Sequence, residues 1–284
     1  MFLIIGTLVV IGSVVAGFVM DGGKLLALWH PTEVIIIIGA ALGSFIISNP
    51  IKVVKASFAN SLALMKGPRY GRADYVDILK LLYDILVKIR KSGMLAIEAD
   101  VEAPEKSQLF AQYPRVLADH HLVEFVTDCL RLMVGGNLDP HELESLLEYE
   151  LENHHQESAE PAHAVRQVAD SLPGFGIVNT MGSLAGSDTA AIGEKVAAAL
   201  VGTFLGILVA YGFVGPTANA MEHRAHEEGK AFEVVKMALV ASVRGYAPPV
   251  AIEFARKLLV AAMRPSFADL EGHLKGKKKE TAAA

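Results

Sequence analysis

Hydrolysis, metal chemistry and ion transfer each require particular side chains at particular spacings, and this sequence withholds most of them. His120 and His121 are neighbours, as are His154 and His155, and adjacent positions on a helix point about 100° apart, too far to close on one metal ion. No GxxxxGK[ST] phosphate loop, HExxH helix or GxSxG elbow occurs. The single cysteine, Cys129, sits in the apolar-patterned LVEFVTDCLRLM at 122–133. It reads as a packed thiol, and one cysteine excludes an internal disulfide framework or a multi-cysteine metal site. Basic residues are not interleaved with aromatic ones, so nothing points to nucleic acid. No catalytic residue, metal ligand or cofactor is expected.

Ion transfer would need an ionisable side chain at membrane depth. Four apolar runs are present, at 2–20, 34–47 (extending to 54), 172–186 and 196–216, and none has Asp, Glu, Lys, Arg or His in its interior, Lys52 falling only in the extension of the second. If the chain takes part in ion flow, the carboxylate must come from another chain. What the runs do carry is a repeated spacing of small residues. Gly202, Gly206 and Ala210 recur every fourth position in the last run, Gly39 and Gly43 in the second, and Gly12 and Ala16 in the first. That spacing lines them up on one helix face where another backbone can approach closely. Thr203 and Tyr211 add polar groups that favour protein or water over lipid. The plainer reading is a lipid-facing helix that happens to contain glycines.

These runs need elements to position them. A run of 21 residues at 196–216 makes a helix of about 30 Å, the thickness of the hydrocarbon layer. The chain has 284 residues, 52% of them hydrophobic, with a net charge of −5. That is apolar for a soluble protein and too charged for spans alone, so a membrane part joined to a soluble part is expected. The first run lacks a basic n-region and is long enough to span, so it reads as a retained helix rather than a signal peptide. Trp29, in the link at 21–32, suits a membrane interface.

Between 52 and 166, charged residues punctuate apolar ones at helical spacing. At 74–91 a stripe of Val76, Leu79, Leu82, Ile85, Leu86 and Ile89 is set apart from Asp77, Lys80, Asp84, Lys88 and Lys91, and Gly93 is placed to end the helix. Further helices are expected at 122–134 and 139–153, with a polar joint at 154–160. An amphipathic segment at 219–246, an interruption at Pro248 and Pro249, a last helix at 250–263 and a basic tail at 275–284 complete the chain. The expected architecture is therefore all-α: a polytopic membrane protein with four transmembrane helices and a large helical cytoplasmic domain between spans two and three. Its divisions fall at 1–54, 55–167, 168–217 and 218–284. Lys and Arg number 13 at 52–166 and 11 at 217–284, against one in each outer link (Lys24 and Lys195). The positive-inside rule then places the middle domain and both termini in the cytoplasm.

The residues also resemble a known family. ALVGTFLGIL at 199–208, followed after seven intervening residues by Pro216, is similar to the signature of the MotA family, the stator subunit of the flagellar motor. DSLP at 170–173, GYAPP at 245–249 with Glu253, and RPS at 264–266 support it. The resemblance covers nearly the whole chain. It implies a multi-pass protein of the bacterial inner membrane, assembled as a homopentameric ring around MotB. MotB's single intramembrane aspartate carries the ion, a proton by preference, and the ring pushes on the rotor protein FliG. It further implies rotor-facing charges at Arg90 and Glu98, functionally important prolines at Pro173 and Pro216, and a pore-facing Thr203. Membrane lipid is the surrounding partner. A TolQ/ExbB-type energiser of envelope transduction, expected to have three spans, and a scaffold without ion flow share the carboxylate-free spans. One departure accompanies the resemblance: family members carry about two more helical turns in the third span. The 15 residues at 172–186 make only ~22 Å of helix. The expectation is local thinning of the bilayer or a strained second outer link, and an impaired channel.

Overall fold

The computed structural model describes residues 2–23, 25, 30–136, 139–184 and 192–272, and every regular element among them is a helix. Trp29, residues 187–191 of the second outer link (187–195) and the basic tail lie outside the described residues. The helices are α1 (Phe2–Met20), α2 (Pro31–Ser48), α3 (Ile51–Ala63), α4 (Arg72–Ser92), α5 (Glu98–Glu102), α6 (Pro114–Leu117), α7 (His120–Gly135), α8 (Pro140–Leu184), α9 (Ile192–Val209), α10 (Gly215–Val243) and α11 (Pro248–Leu258), with a π-helical segment, Ala210–Val214, between α9 and α10. The chain divides into two compact units, Met1–Gly67 with Glu157–Ala225, and Pro68–Gln156 with His226–Ala284.

The first unit is built from helices whose sequences leave water no role. In α1 no residue from Leu3 to Met20 is buried, so a helix apolar on every side presents Leu8, Val9 and Ile11 outward. Such a helix needs lipid or another chain as its solvent. In α2 a stripe of Glu33, Ile37, Ala41 and Phe45 is buried, and Ile35, Ile38 and Ile46 are exposed. Among the described residues, three helical runs, starting at Leu3, Pro31 and Lys195, are long and apolar enough to cross a membrane.

The expected third span is not among them. It is the end of α8, a helix of 45 residues and so about 68 Å long. The polar joint expected at 154–160 is a correction: HHQESAE is helical throughout. Polarity marks exposure rather than a break, and Glu, Gln and Ala all favour helix. Pro161 lies inside α8, where Ser57 of α3 places its hydroxyl 3.2 Å from the Pro161 carbonyl.

The second unit has one continuous core. Asp74 accepts the Gly71 N–H at 2.8 Å to start α4, and Gly93, at φ 83°, ends it by donating to the Ile89 carbonyl at 2.9 Å. A residue with a side chain would be strained at that φ. Asp119 caps α7 by accepting from the Leu122 N–H. The apolar faces of α4 and α7 meet Leu143, Leu147 and Leu151 of α8, Phe232, Val235 and Leu239 of α10, and Ile252 of α11. Each such fully buried side chain contributes about 1.5–3 kcal/mol. Cys129 is buried in this core, and burial pushes its thiol well above the usual range. Asp84, read from the sequence as lying off the apolar stripe, is instead buried and accepts from the Tyr113 hydroxyl at 2.7 Å. That bond satisfies a carboxylate which burial would otherwise penalise heavily. The last helix starts two residues earlier than expected, because Pro248 and Pro249 occupy its first positions, where no N–H is required. It stops at Leu258, where the Arg264 guanidinium donates to the carbonyls of Leu259 (2.8 Å) and Lys257 (3.2 Å).

Candidate functional site: a glycine seam beside two proline breaks

The small residues of α9 meet α8 backbone to backbone. A β-carbon on Gly176 would lie 3.1 Å from both the Gly202 carbonyl oxygen and the Thr203 Cα, and one on Gly206 would lie 2.8 Å from the Leu172 carbonyl oxygen. Only glycine permits this approach, and backbone atoms cannot swing aside as a side chain would. One turn on, Ala210 is fully buried with Leu172, Ile37 and Ala41. Gly202, Gly206 and Ala210 therefore form one seam with 172–176 of α8. Gly39 and Gly43 of α2 have open space around them, with nothing within 4 Å of an added β-carbon.

Thr203 is half-buried at this seam, and its hydroxyl donates to the Ala199 carbonyl of its own helix at 3.2 Å. A hydroxyl on a helix commonly takes such a bond to the carbonyl one turn back. Tyr211 is exposed.

The two prolines lie where the seam ends. Pro173 has no N–H, so the Ala169 carbonyl loses its helical donor. Pro216, the second residue of α10, likewise frees the Gly212 carbonyl. The helix accommodates Pro216 by widening: residues 210–214 are π-helical and the Gly215 N–H donates to the Ala210 carbonyl, five residues back. A β-carbon on Gly215 would lie 3.9 Å from that of Ala169, so the two breaks sit side by side. Beyond them, Arg166 of α8 donates to Asn219 and to Glu222 (3.0 Å) of α10. Arg224 of α10 donates to the carbonyls of Ala63 and Gly67 (3.0 Å). Rigid pairing on one side of the breaks and polar clamps on the other make a jointed pair of helices.

Two features escaped sequence reasoning. Glu33 is a buried carboxylate at the first turn of α2, 2.7 Å from its donor Thr32 Oγ1 and 3.5 Å from His30 Nδ1. A helix N-terminus favours negative charge there, and the acid-then-apolar order of the sequence was the available signal. The other is Leu95, 71% exposed, in the turn between Arg90 and Glu98.

Arg90, in the last turn of α4, and Glu98, the first residue of α5, are both exposed, and neither has an ion-pair partner among the described residues. The Gly93 turn and a 3₁₀ segment, Met94–Ile97, join them. Beside them Lys88 and Asp100 are paired at 2.5 Å. The structure thus brings together Pro173, Pro216, Thr203, Gly202, Gly206 and Ala210 in the first unit, and sets Arg90 and Glu98 on one turn of the second.

Residues 4–93 match the motility protein A N-terminal family, and residues 118–234 match the MotA/TolQ/ExbB proton channel family. The chain is 43% identical to motility protein A of Salmonella typhimurium over 97% of its length and 95% of the relative's. It is 43% identical to that of Escherichia coli over 98% and 96%, and 42% identical to the chemotaxis protein LafT of Vibrio parahaemolyticus over 94% and 96%. The fold is similar to that of C. jejuni MotAB, with a TM-score of 0.73 and 20% identity over 93% of this chain and 98% of that one. It is also similar to the flagellar MotAB stator complex from Bacillus subtilis, with a TM-score of 0.65 and 21% identity over 88% and 92%. The chain belongs to the motility protein A family.

Proposed function

We propose that this chain is the multi-span subunit of a flagellar stator, which with MotB forms a proton channel whose ion flow drives torque on the rotor protein FliG. The observation that carries this reading is a close-packed helix seam with no ionisable side chain of its own, in a chain 43% identical to motility protein A over nearly its full length. The TolQ/ExbB-type energiser fits less well, because the match over residues 4–93 is to a motility protein A domain. The family is one of proton channels, and the chain is not an enzyme.

In this reading the chain has four spans, both termini in the cytoplasm of a bacterium, and divisions at 1–54, 55–167, 168–217 and 218–284. Copies form a homopentameric ring around MotB. A charged aspartate at membrane depth is costly and a protonated one is not, so each protonation changes what the ring prefers to place against it. Thr203 offers that carboxyl a hydroxyl. Because α8 and α9 touch through backbone, they shift as one piece, and the breaks at Pro173 and Pro216 supply the bend. The open faces at Gly39 and Gly43 suit packing against another chain.

Expression of this chain in a stator-deleted strain tests the proposal. Swimming should return and should persist without sodium; no swimming with a co-expressed, membrane-inserted partner would overturn it. Swimming equal to that given by a full-length relative would refute impairment by the short third span. Reversing either rotor-facing charge, as Arg90→Glu or Glu98→Lys, should reduce the swim ring by roughly half without loss of assembly, since exposed charges steer docking more than they hold the fold. Unchanged swimming in both single variants and in the double variant would remove these residues from the rotor contact.

A further inference from the structure

Helix α3 and the wall beside it form a site that the stator reading does not use. The α3 helix follows directly on α2 through Asn49 and Pro50. On a helical projection its residues fall into three sectors. Val53, Val54 and Ser57 are buried. Next to them runs an exposed apolar edge, Ile51 (67%), Phe58 (57%) and Leu62 (67%), continued past the helix by Met65 (57%). Lys52, Lys55 and Lys66 are exposed on the remaining side. From Asn49 to Gly67 there are three lysines and no acidic residue.

The exposed edge borders a groove of about 290 Å³, walled by Leu42 and Phe45 of α2, Phe58 of α3, Val168 of α8 and Phe213 of the π-helical segment. Two of its three hydroxyls are engaged, the third being that of Thr217: Ser57 donates to the Val53 carbonyl at 2.8 Å, and Ser61 to the Ser57 carbonyl at 2.8 Å. The groove therefore asks for an apolar occupant, while the helix beside it asks for negative charge.

We propose that this groove holds one acyl tail of an anionic phospholipid, with its phosphate held by Lys52 and Lys55. Three features of the chain favour that occupant. An apolar wall meets a lysine-only face on one helix, the arrangement that places a helix in the membrane interface. The lysines follow immediately on a span, where anionic headgroups concentrate. The groove is also edged by Phe213 and Val214 of the π-helical segment, so a bound lipid would brace the helix where Pro216 leaves it without a hydrogen bond. The proposal rests on the membrane reading of α2, which extraction of membranes with alkaline carbonate tests separately: release of the chain would sink that reading rather than this site.

The experiment uses the full chain with MotB, purified from nanodiscs of equal phosphatidylglycerol and phosphatidylcholine, with retained lipid identified by native mass spectrometry. Phosphatidylglycerol should be retained over phosphatidylcholine by roughly tenfold or more, and Lys52→Gln with Lys55→Gln should erase the preference. Ser61→Phe should fill the groove and displace both lipids. If Ser61→Phe fails to assemble, the exposed lysine pair still decides. Equal retention of the two lipids, or retention by the lysine double variant equal to that of the native chain, overturns the proposal. So does efficient cross-linking of Phe58→Cys between subunits, which would show a second copy covering the groove; Cys129, fully buried, does not compete in that assay.

Discussion

Gly206→Val is expected to abolish swimming in a complemented stator-deleted strain, and Gly206→Ala to reduce it. Even the first added carbon would lie 2.8 Å from the Leu172 carbonyl oxygen, 3.4 Å from its carbonyl carbon and 3.5 Å from the Gly176 Cα. All three are backbone atoms of a helix, so relief requires α8 and α9 to separate along the seam. Overpacking of this kind costs about 1–3 kcal/mol, and valine, which branches at that same carbon, belongs at the upper end. Separation would also draw Thr203 away from its place beside Gly176 and shift Ala210 out of its packing with Ile37 and Ala41. Gly39→Ala is the informative companion. Among the described residues nothing lies within 4 Å of a β-carbon there, so the fold of a single chain should be indifferent to it, and any loss of swimming there reports on contact with another chain. Soft-agar expansion, normalised to the amount of protein in the membrane fraction, reads both. Swimming of Gly206→Val at the native level would mean that the seam does not have to stay closed.

The small-residue spacing made the seam legible as a surface but not as a contact. A row of Gly202, Gly206 and Ala210 says that a backbone can come close, and any helix backbone satisfies that. The structure seats the row on 172–176 of α8 in the same chain, a choice made by Gly176 and by the path of the chain rather than by the row itself. The end of α4 at Gly93 was legible because a positive φ has a residue type attached to it. The continuity of α8 was not: a string such as HHQESAE is polar whether it is a joint or an exposed helix face, and only burial of Leu151 before it and Ala162 after it distinguishes them. Asp84 was misplaced for a related reason. Periodicity assigns a carboxylate to the solvent side, and its partner Tyr113 lies 29 residues away, beyond the reach of any local pattern. The π-helical segment left no trace at all. Pro216 announces a disturbance, but whether the helix kinks, stops or widens is settled by what packs around Ala210 and Gly215.

Loss of Glu253 should measurably destabilise the second unit. Arg256 is only 9% exposed. Its Nε and Nη2 donate to the two Glu253 carboxylate oxygens, each at 2.7 Å, and its Nη1 donates to the Pro265 carbonyl at 2.9 Å. Glu253 and the motif at 264–266 are thus tied together through Arg256 of α11. Glu253→Ala leaves a nearly buried guanidinium with one carbonyl to satisfy it, and because the Glu253 side chain is itself one-third exposed the cost is that of an unsatisfied donor, about 1–3 kcal/mol, rather than that of a fully buried pair. Removing both partners should cost less than removing the acid alone, so Glu253→Ala with Arg256→Met is expected to regain part of the lost melting temperature of the purified complex. The pair also sets an acid limit. Hydrogen bonds from Arg256 hold the Glu253 carboxyl below its ordinary 4.5. Because the folded value is the lower one, the contribution is complete above that ordinary value and is lost as pH falls through the folded one. The native complex should therefore lose melting temperature more steeply than the double variant as pH is lowered below about 4.5. Parallel pH profiles, or a double variant less stable than Glu253→Ala alone, would mean that the pair does not hold α11 to the segment at Pro265.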